Sequence, residues 1–179
     1  MEDWLNFNGE IVLRELAVKK GQKILDFGCG SGIYSLIASK IVGEAGKIYA
    51  LDYNEESLEE LMKKIQAQHI TNIEIIKTSM DIEIPIKDNS LDVVLVYDVY
   101  HLLDKEERIR LLKESYRVLK KKTGFLSYFA THIGYHGIDL DVVQRQMEIN
   151  GFKLRNTFKK PMFHWSWIEE GTIYNYYKK

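Results

Sequence analysis

Three closely spaced glycines form the most informative motif of the chain, Gly28–Gly32, which reads Gly-Cys-Gly-Ser-Gly. Glycine lets a backbone approach a bound group that a Cβ would hold away. The motif lies between a short apolar run and a helical pattern, so it ends at the start of a predicted helix. The unpaired N–H groups at the start of a helix attract an anion. Asp26 ends the apolar run, and a carboxylate there needs donors or a cation, for which an ammonium group is suited. The motif therefore predicts a cofactor site.

A second carboxylate follows the next apolar run. Asp52 lies twenty residues after Gly32, a position from which an acidic residue in a doubly wound sheet accepts the hydroxyls of a ribose. Tyr53 is placed beside it to lie against a purine ring. The dinucleotide-binding fingerprint is Gly-x-Gly-x-x-Gly, whereas the third glycine here comes one residue earlier. This spacing argues against an NAD-dependent oxidoreductase. That class stays an alternative, and binding of NADH would support it.

Short apolar runs of strand length alternate with amphipathic patterns of helical period, which predicts a doubly wound α/β sheet with helices on both faces. Only Lys159–Glu170 separates the last two runs, which is too short for a crossover helix and its turns, so the final strand is predicted to pair antiparallel. We expect a mostly parallel seven-stranded sheet with an antiparallel C-terminal strand. The predicted strands are Lys23–Phe27, Lys47–Leu51, Ile73–Lys77, Asp92–Tyr97, Phe125–Ala130, Phe152–Phe158 and Thr172–Tyr177.

Residue types at the ends of the helical patterns support this division. Asn54 precedes two glutamates, as an N-cap does, and Asp104 with Glu107 has the spacing of a capping box. Gly151 follows the pattern of residues 139–150 as a glycine at a helix C-terminus does.

Composition limits the partners of the protein. The chain has 179 residues, so it fits a single domain, with residues 1–20 as an N-terminal helical segment. Its net charge is −1, so it lacks the excess of positive charge that binds nucleic acid. One cysteine excludes an intramolecular disulfide. No apolar stretch is long enough for a membrane helix, and the acidic N-terminus is unlike a signal peptide. We expect a cytoplasmic protein that binds neither nucleic acid nor membrane.

The Gly-x-Gly-x-Gly spacing, with Asp26 two positions before the first glycine, resembles the first motif of class I S-adenosylmethionine-dependent methyltransferases. The resemblance runs in order from about Gly21 to Ala130. It implies a small, single-domain protein similar to methyltransferase type 11, with a Rossmann-like three-layer sandwich. The further segments that carry it are Tyr49–Tyr53 as the second motif, Ser79–Pro85 as the adenine-contacting loop, Asn89–His101 as the fourth strand and its active-site end, and Arg117–Leu126 as the junction of a helix with the fifth strand.

The resemblance implies S-adenosyl-L-methionine as the cofactor and gives roles to the residues around it. Asp26 contacts the amino group, and Asp52 holds the ribose diol. Asp81 binds the adenine amino group, with Met80 beside the ring, and Cys29 packs in the loop without acting as a nucleophile. The predicted cofactor-binding residues are Asp26, Gly28, Cys29, Gly30, Gly32, Asp52, Tyr53, Met80 and Asp81.

The carboxyl ends of the later strands hold the predicted acceptor site, because ligands of open sheets bind at that edge. Four of the five histidines lie in segments that reach this edge. His101 begins the turn after the central fourth strand and is the predicted general base, with Asp98 as the second catalytic residue. The predicted rim consists of Tyr100, His132, His136, His164, Trp165 and Trp167, and Trp4, Leu5 and Phe7 are predicted to fold over it.

The acceptor is predicted to be a small aromatic or cationic molecule, which tryptophan and tyrosine rings bind well. The fourth strand ends in Tyr-Asp-Val-Tyr and lacks the Asn/Asp-Pro-Pro-Tyr signature of enzymes that methylate amino groups of nucleic acids. A metal site built on His132 and His136 stays an alternative, but no metal is expected, because these histidines share a loop without an acidic partner. A non-enzyme alternative is a cofactor-binding protein that activates another methyltransferase, and it predicts no turnover until that partner is added.

Overall fold

A sheet of seven strands forms the centre of the protein in a computed structural model, which describes residues 8–79, 82–130, 132 and 138–179. The strands are β1 (Lys23–Phe27), β2 (Lys47–Asp52), β3 (Ile73–Lys77), β4 (Val93–Tyr97), β5 (Phe125–Ala130), β6 (Phe152–His164) and β7 (Trp167–Lys178). The helices are α1 (Gly9–Glu15), α2 (Ile33–Val42), α3 (Glu55–Ala67), α4 (Lys105–Val118) and α5 (Leu140–Ile149), and a 3₁₀ turn spans Tyr100–Leu102.

The strand order is β3-β2-β1-β4-β5-β7-β6. The strands β1 to β5 run parallel to one another, whereas β7 is antiparallel to both β5 and β6. This confirms the predicted mostly parallel sheet with an antiparallel C-terminal strand. The order reverses between β1 and β4, so the loops after these two strands diverge and leave a crevice at the carboxyl edge. The predicted cofactor and acceptor residues that the structure describes lie at the strand ends and in the loops of this edge.

Side chains of the central strands alternate between two apolar layers, as the period of a strand requires. Ile24 of β1 packs in the layer with α1, α2 and α3, whereas Leu25 packs in the layer with α4 and α5. Both residues are fully buried, and each such burial contributes about 1.5–3 kcal/mol. Helices therefore cover both faces, as predicted.

The helix ends have the predicted caps. The Asn54 side chain accepts a hydrogen bond from the Ser57 N–H over 2.9 Å, and Asp104 and Glu107 form both bonds of a capping box. Gly151, two positions after the last residue of α5, has a φ of +88°, a conformation that residues with a Cβ rarely adopt.

The strands β6 and β7 are longer than the sequence analysis predicted. Most of the predicted connection Lys159–Glu170 is strand, and pairing continues until His164 stands opposite Trp167. Lysines and Pro161 gave this stretch the composition of a loop. However, β6 forms an edge of the sheet, where proline is tolerated because the outer N–H groups have no ladder partner. The longer hairpin carries His164 to the carboxyl edge.

The N-terminal segment predicted for residues 1–20 contains α1 in its described part, whereas Trp4, Leu5 and Phe7 lie outside the described residues. The chain after α1 is held to the sheet, because the Asn175 side chain of β7 donates a hydrogen bond to the Leu16 carbonyl over 3.0 Å. Among the helices that the structure describes, none combines the length and apolar character needed to cross a bilayer.

Candidate active site

The glycine loop after β1 has the backbone conformation that its sequence predicts. Gly28, Gly30 and Gly32 have φ values of +72°, +51° and +82°, which favour glycine. A Cβ on Gly28 would lie 2.6 Å from Cγ2 of Val99, and one on Gly32 would overlap Leu61. A Cβ on Gly30 would meet nothing within 4 Å. The loop therefore packs against the protein through its first and third glycines and faces open space at the middle one.

Asp52 ties this loop to the end of β2. Its Oδ2 accepts the Gly30 N–H over 2.8 Å, and its Oδ1 accepts the Asn54 N–H over 2.9 Å. Each carboxylate oxygen has two lone pairs, so both oxygens can accept a further hydroxyl, as the binding of a ribose diol requires. Only the ligand role of Asp52 was predictable from the sequence, because its bond to Gly30 depends on the path of the loop in three dimensions.

Asp26 is a buried carboxyl group near the end of β1, with only 3% of its surface exposed. Burial raises its pKa to about 6, although the hydrogen bond that the Ser35 hydroxyl donates to Oδ2 over 2.7 Å acts in the opposite direction. A bound cation would favour the ionised carboxylate in these surroundings. The residue therefore fits the ammonium group of an amino-acid cofactor such as S-adenosylmethionine, reached directly or through water.

A cleft of about 350 Å³ opens beside the loop, within the range of about 300–1,000 Å³ that small-molecule sites occupy. Asp52 and Tyr53 line it from the end of β2, and Asp98 and Val99 line it from the end of β4. Tyr53 is 65% exposed, so its ring is accessible to a purine. The predicted ribose ligand and one predicted catalytic residue thus face the same cleft.

Cys29 is a buried thiol within the loop. Burial raises its pKa far above the usual range, and the carboxylates of Asp26 and Asp52 add to this effect. A thiol that stays protonated is a poor nucleophile, which agrees with a packing role. The predicted adenine contacts Met80 and Asp81 lie outside the described residues, as does the predicted rim residue His136.

Asp98 is the centre of a cluster of titratable side chains at the carboxyl edge. Its φ is +57°, a value that is uncommon for a residue with a Cβ and is often found at functional sites. His101 Nδ1 and His132 Nε2 lie 4.0 and 3.9 Å from Asp98 Oδ1, and His164 Nε2 lies 3.3 Å from Oδ2. The structure therefore brings together predicted acceptor-site residues from three separate segments of the chain.

Glu169 extends this cluster, and the sequence analysis missed it. Its Oε1 lies 2.8 Å from His164 Nδ1, and its Oε2 accepts a hydrogen bond from Trp167 Nε1 over 3.3 Å. Glu169 is diagonal to His164 across the β6–β7 ladder, in which His164 pairs with Trp167. Because the sequence analysis placed residues 159–170 in a connection, this contact was hidden. A strand register continued to the turn would have revealed it.

The remaining rim residues differ in their exposure. Tyr100 is only 1% exposed, and its hydroxyl donates a hydrogen bond to Gln146 Oε1 of α5 over 2.8 Å. The prediction that Tyr100 lies at the rim is therefore wrong, because the 3₁₀ turn places its ring in the apolar layer of α4 and α5. Trp165 and Trp167 are 70% and 49% exposed, with ring centroids 6.5 Å apart, and they form an accessible aromatic surface beside His164.

Known sequences match most of this region. A family profile described as a methyltransferase domain covers residues 24–122. The demethylmenaquinone methyltransferase of Geobacillus stearothermophilus is 33% identical over 109 residues, which are 61% of this chain and 45% of that protein. The protein of the same name from Geobacillus sp. strain WCH70 is 27% identical over 164 residues, which are 90% of this chain and 67% of that protein. The chain thus spans about half the length of the first relative.

Solved structures share the architecture. The crystal structure of a SAM-dependent methyltransferase from Aquifex aeolicus has a TM-score of 0.79 and 25% identity, and the match covers 97% of this chain and 91% of that one. A TehB-like SAM-dependent methyltransferase from Corynebacterium glutamicum shows a likeness of fold, with a TM-score of 0.72 and 21% identity over 96% of this chain and 88% of that one. Because the family profile covers more than half of the chain, this protein belongs to the class I S-adenosylmethionine-dependent methyltransferases.

Proposed function

We propose that the protein transfers the methyl group of S-adenosyl-L-methionine to a small-molecule acceptor at the Asp98 end of the cleft. The observation that carries this proposal is that Asp52 and Asp98 line one cleft of about 350 Å³. The cofactor supplies an electrophilic methyl group on a sulfonium, so the protein must chiefly align the acceptor and exclude water.

Residues of the first two strands and their loops hold the cofactor in this proposal. Asp26 pairs with the ammonium group, because its burial makes a cationic partner favourable. Asp52 accepts the ribose hydroxyls, and Tyr53 lies along the adenine ring. The backbone of Gly28–Gly32 follows the methionine part of the cofactor. For Met80 and Asp81, an adenine role rests on the family resemblance alone.

Asp98 and His101 are the residues that we place against the acceptor. Their side chains are 17% and 8% exposed, so the groups act in a partly dehydrated environment, where electrostatic interactions are strengthened. The sequence-based role of His101 is to accept a proton from the acceptor. His132 and His164 contact the two oxygens of Asp98, whereas a role for His136 in binding the acceptor rests on the sequence alone.

We further propose a planar aromatic acceptor, because the exposed rings of Trp165 and Trp167 offer a surface on which such a molecule stacks. The relatives are named demethylmenaquinone methyltransferases, so a quinol ring is the first acceptor to test. With a net charge of −1, the chain has no excess of cations for nucleic acid. We place the enzyme in the cytoplasm.

The test is methyl transfer from labelled S-adenosylmethionine to water-soluble hydroquinones, with S-adenosylhomocysteine binding measured separately by calorimetry. We expect labelled product, and we expect Asp98→Asn to lower turnover by about 10²-fold or more while the affinity for S-adenosylhomocysteine changes less than about twofold. Asparagine is suited to this position, because it tolerates the positive φ that Asp98 adopts. Binding of NADH in place of S-adenosylhomocysteine would overturn the proposal, and cofactor binding without turnover until a second protein is added would favour a non-catalytic role.

A further inference from the structure

We propose that Asp98, His101 and His132 form a binding site for a divalent transition-metal ion, with His164 as a fourth donor. Ligand atoms of the first three residues all lie within 4.8 Å of one another. His164 contacts the group at the second carboxylate oxygen, because its Nε2 lies 3.3 Å from Asp98 Oδ2. This proposal contradicts the sequence-based expectation of no metal, which rested on the missing acidic partner that Asp98 provides.

The distances favour an ion over direct hydrogen bonds. His101 Nδ1 and His132 Nε2 lie 4.0 and 3.9 Å from Asp98 Oδ1, whereas an N–H···O hydrogen bond measures about 2.7–3.2 Å. An ion bound at about 2.0–2.1 Å by tetrahedral ligands separates neighbouring ligand atoms by about 3.3 Å. Each histidine nitrogen therefore needs to approach Asp98 Oδ1 by less than about 1 Å to share an ion with it.

His164 supplies an independent observation. Its side chain is 5% exposed, and its Nε2 makes no hydrogen bond within the part of the chain that the structure describes, although Asp98 Oδ2 is 3.3 Å away. Glu169 Oε1, at 2.8 Å from Nδ1, accepts a hydrogen bond from Nδ1–H in the tautomer that leaves the lone pair on Nε2 free to bind a metal. A cation bound to both Nε2 and the Asp98 carboxylate would give this buried nitrogen a partner.

The arrangement of Glu169, His164 and the cluster is typical of metal sites. A metal-binding histidine usually donates its second N–H to a carboxylate, which fixes the tautomer and the ring orientation. Glu169 has this relation to His164. Trp167 in turn donates to the other oxygen of Glu169 over 3.3 Å, so the carboxylate that orients the histidine is itself held.

The ligand types select the class of ion. Imidazole with one carboxylate suits Zn²⁺, Fe²⁺, Co²⁺ or Ni²⁺, whereas Mg²⁺ and Ca²⁺ prefer oxygen ligands. Asp98 also lines the cleft, so an ion with more than four coordination positions would present an open one to the acceptor. An imidazole nitrogen that binds a metal cannot accept a proton at the same atom. The metal site and the role of His101 Nδ1 as a proton acceptor are therefore mutually exclusive.

The experiment is calorimetric titration of Zn²⁺ into the chelator-treated protein, without cofactor or acceptor, so that its result is independent of the proposed methyl transfer. Co²⁺ absorption spectra give a second readout of nitrogen and oxygen ligation. We expect one ion per chain, with the Zn²⁺ dissociation constant raised at least about 100-fold in Asp98→Asn and in His132→Ala. Glu169→Gln should raise it by about 10–100-fold, as loss of an outer partner does.

His69→Ala is the matched control, because His69 is exposed and follows α3, away from the cluster. The affinity of this variant for Zn²⁺ should equal that of the wild type. Retained S-adenosylhomocysteine binding shows that each variant is folded, and failure of that binding in the wild type would count against the cofactor assignment alone. Absence of saturable Zn²⁺ binding, or binding unchanged in both Asp98→Asn and His132→Ala, would overturn the metal site.

Discussion

A buried carboxyl group such as Asp26 couples the stability of the protein to pH. Its pKa is about 6 in the folded protein, against an ordinary value of 3.8, so the folded state holds a proton between these values that the unfolded state releases. The free energy of unfolding of the ligand-free protein therefore falls as the pH rises from about 4 to about 6, by about 3 kcal/mol. Above this window the ionised carboxylate remains buried, and the loss persists.

Asp26→Asn removes this titration. Because other carboxyl groups titrate equally in both proteins, the quantity to measure is the difference in unfolding free energy between wild type and variant, from urea unfolding at pH 4 to 7.5. As the pH rises through 6, we expect the unfolding free energy of the variant to increase relative to that of the wild type by up to about 3 kcal/mol. Its affinity for S-adenosylhomocysteine should fall, because an amide cannot neutralise an ammonium group. A difference independent of pH would contradict the raised pKa.

Asp52 has a structural and a ligand role, and its substitution should reveal both. In Asp52→Ala, the N–H groups of Gly30 and Asn54 lose their acceptor, so we expect stability to fall by about 1–3 kcal/mol. The affinity for S-adenosylhomocysteine should fall by one to two powers of ten, about 1.5–3 kcal/mol. Calorimetry and urea unfolding measure the two effects.

Glu55→Ala is the control for Asp52, because Glu55 is an exposed carboxylate close by in the sequence and pairs with Lys77 at the surface. We expect it to change neither quantity by a measurable amount. If Asp52→Ala instead bound S-adenosylhomocysteine as tightly as the wild type, the ribose would have to lie elsewhere.

At the scale of elements, the sequence predicts what depends on local pattern. The strands β1, β3 and β5 have the predicted bounds, and β2 and β4 differ by one residue, because a short apolar run between helical patterns is unambiguous. The outer half of the β6–β7 hairpin was missed, because charged residues and Pro161 interrupt its apolar pattern and the strand partners lie across the ladder. The same reason hid Glu169, and the orientation of Tyr100 depends on a single 3₁₀ turn.

The tip of the hairpin gives a prediction about the acceptor. Trp165 is 70% exposed and contributes contact area without a group that takes part in chemistry. We expect Trp165→Ala to raise KM for the acceptor while kcat and the affinity for S-adenosylhomocysteine change less than about twofold. Steady-state kinetics and calorimetry measure these quantities.

Ile149→Ala serves as the control for the hairpin tip, because Ile149 is an exposed apolar residue at the end of α5, 83% accessible, and does not belong to the site. It should leave all three quantities unchanged. A weakened S-adenosylhomocysteine affinity in Trp165→Ala would move the acceptor pocket away from the hairpin.

At the scale of the whole molecule, cofactor binding and folding are linked, because the cleft lies between the ends of β2 and β4 and exists only when the sheet is assembled. A ligand at one hundred times its dissociation constant adds about 2.7 kcal/mol to stability, which raises the melting temperature of a chain of this size by roughly 5–10 °C. S-adenosylhomocysteine should have this effect and NAD should not. Melting curves that S-adenosylhomocysteine leaves unchanged at saturating concentration would count against the cofactor assignment.

The edge position of β6 has a consequence for self-association. A bare strand edge is a template on which a second chain can add a strand, and repeated addition leads towards amyloid. The exposed residues of β6 include Lys153, Arg155, Lys159 and Pro161. The positive charges of the two lysines and the arginine repel an identical edge, and the proline offers no N–H to an incoming strand. Two of these residues, Lys159 and Pro161, also gave the outer half of the strand the composition of a loop, and residues of these types at a sheet edge disfavour edge-to-edge pairing.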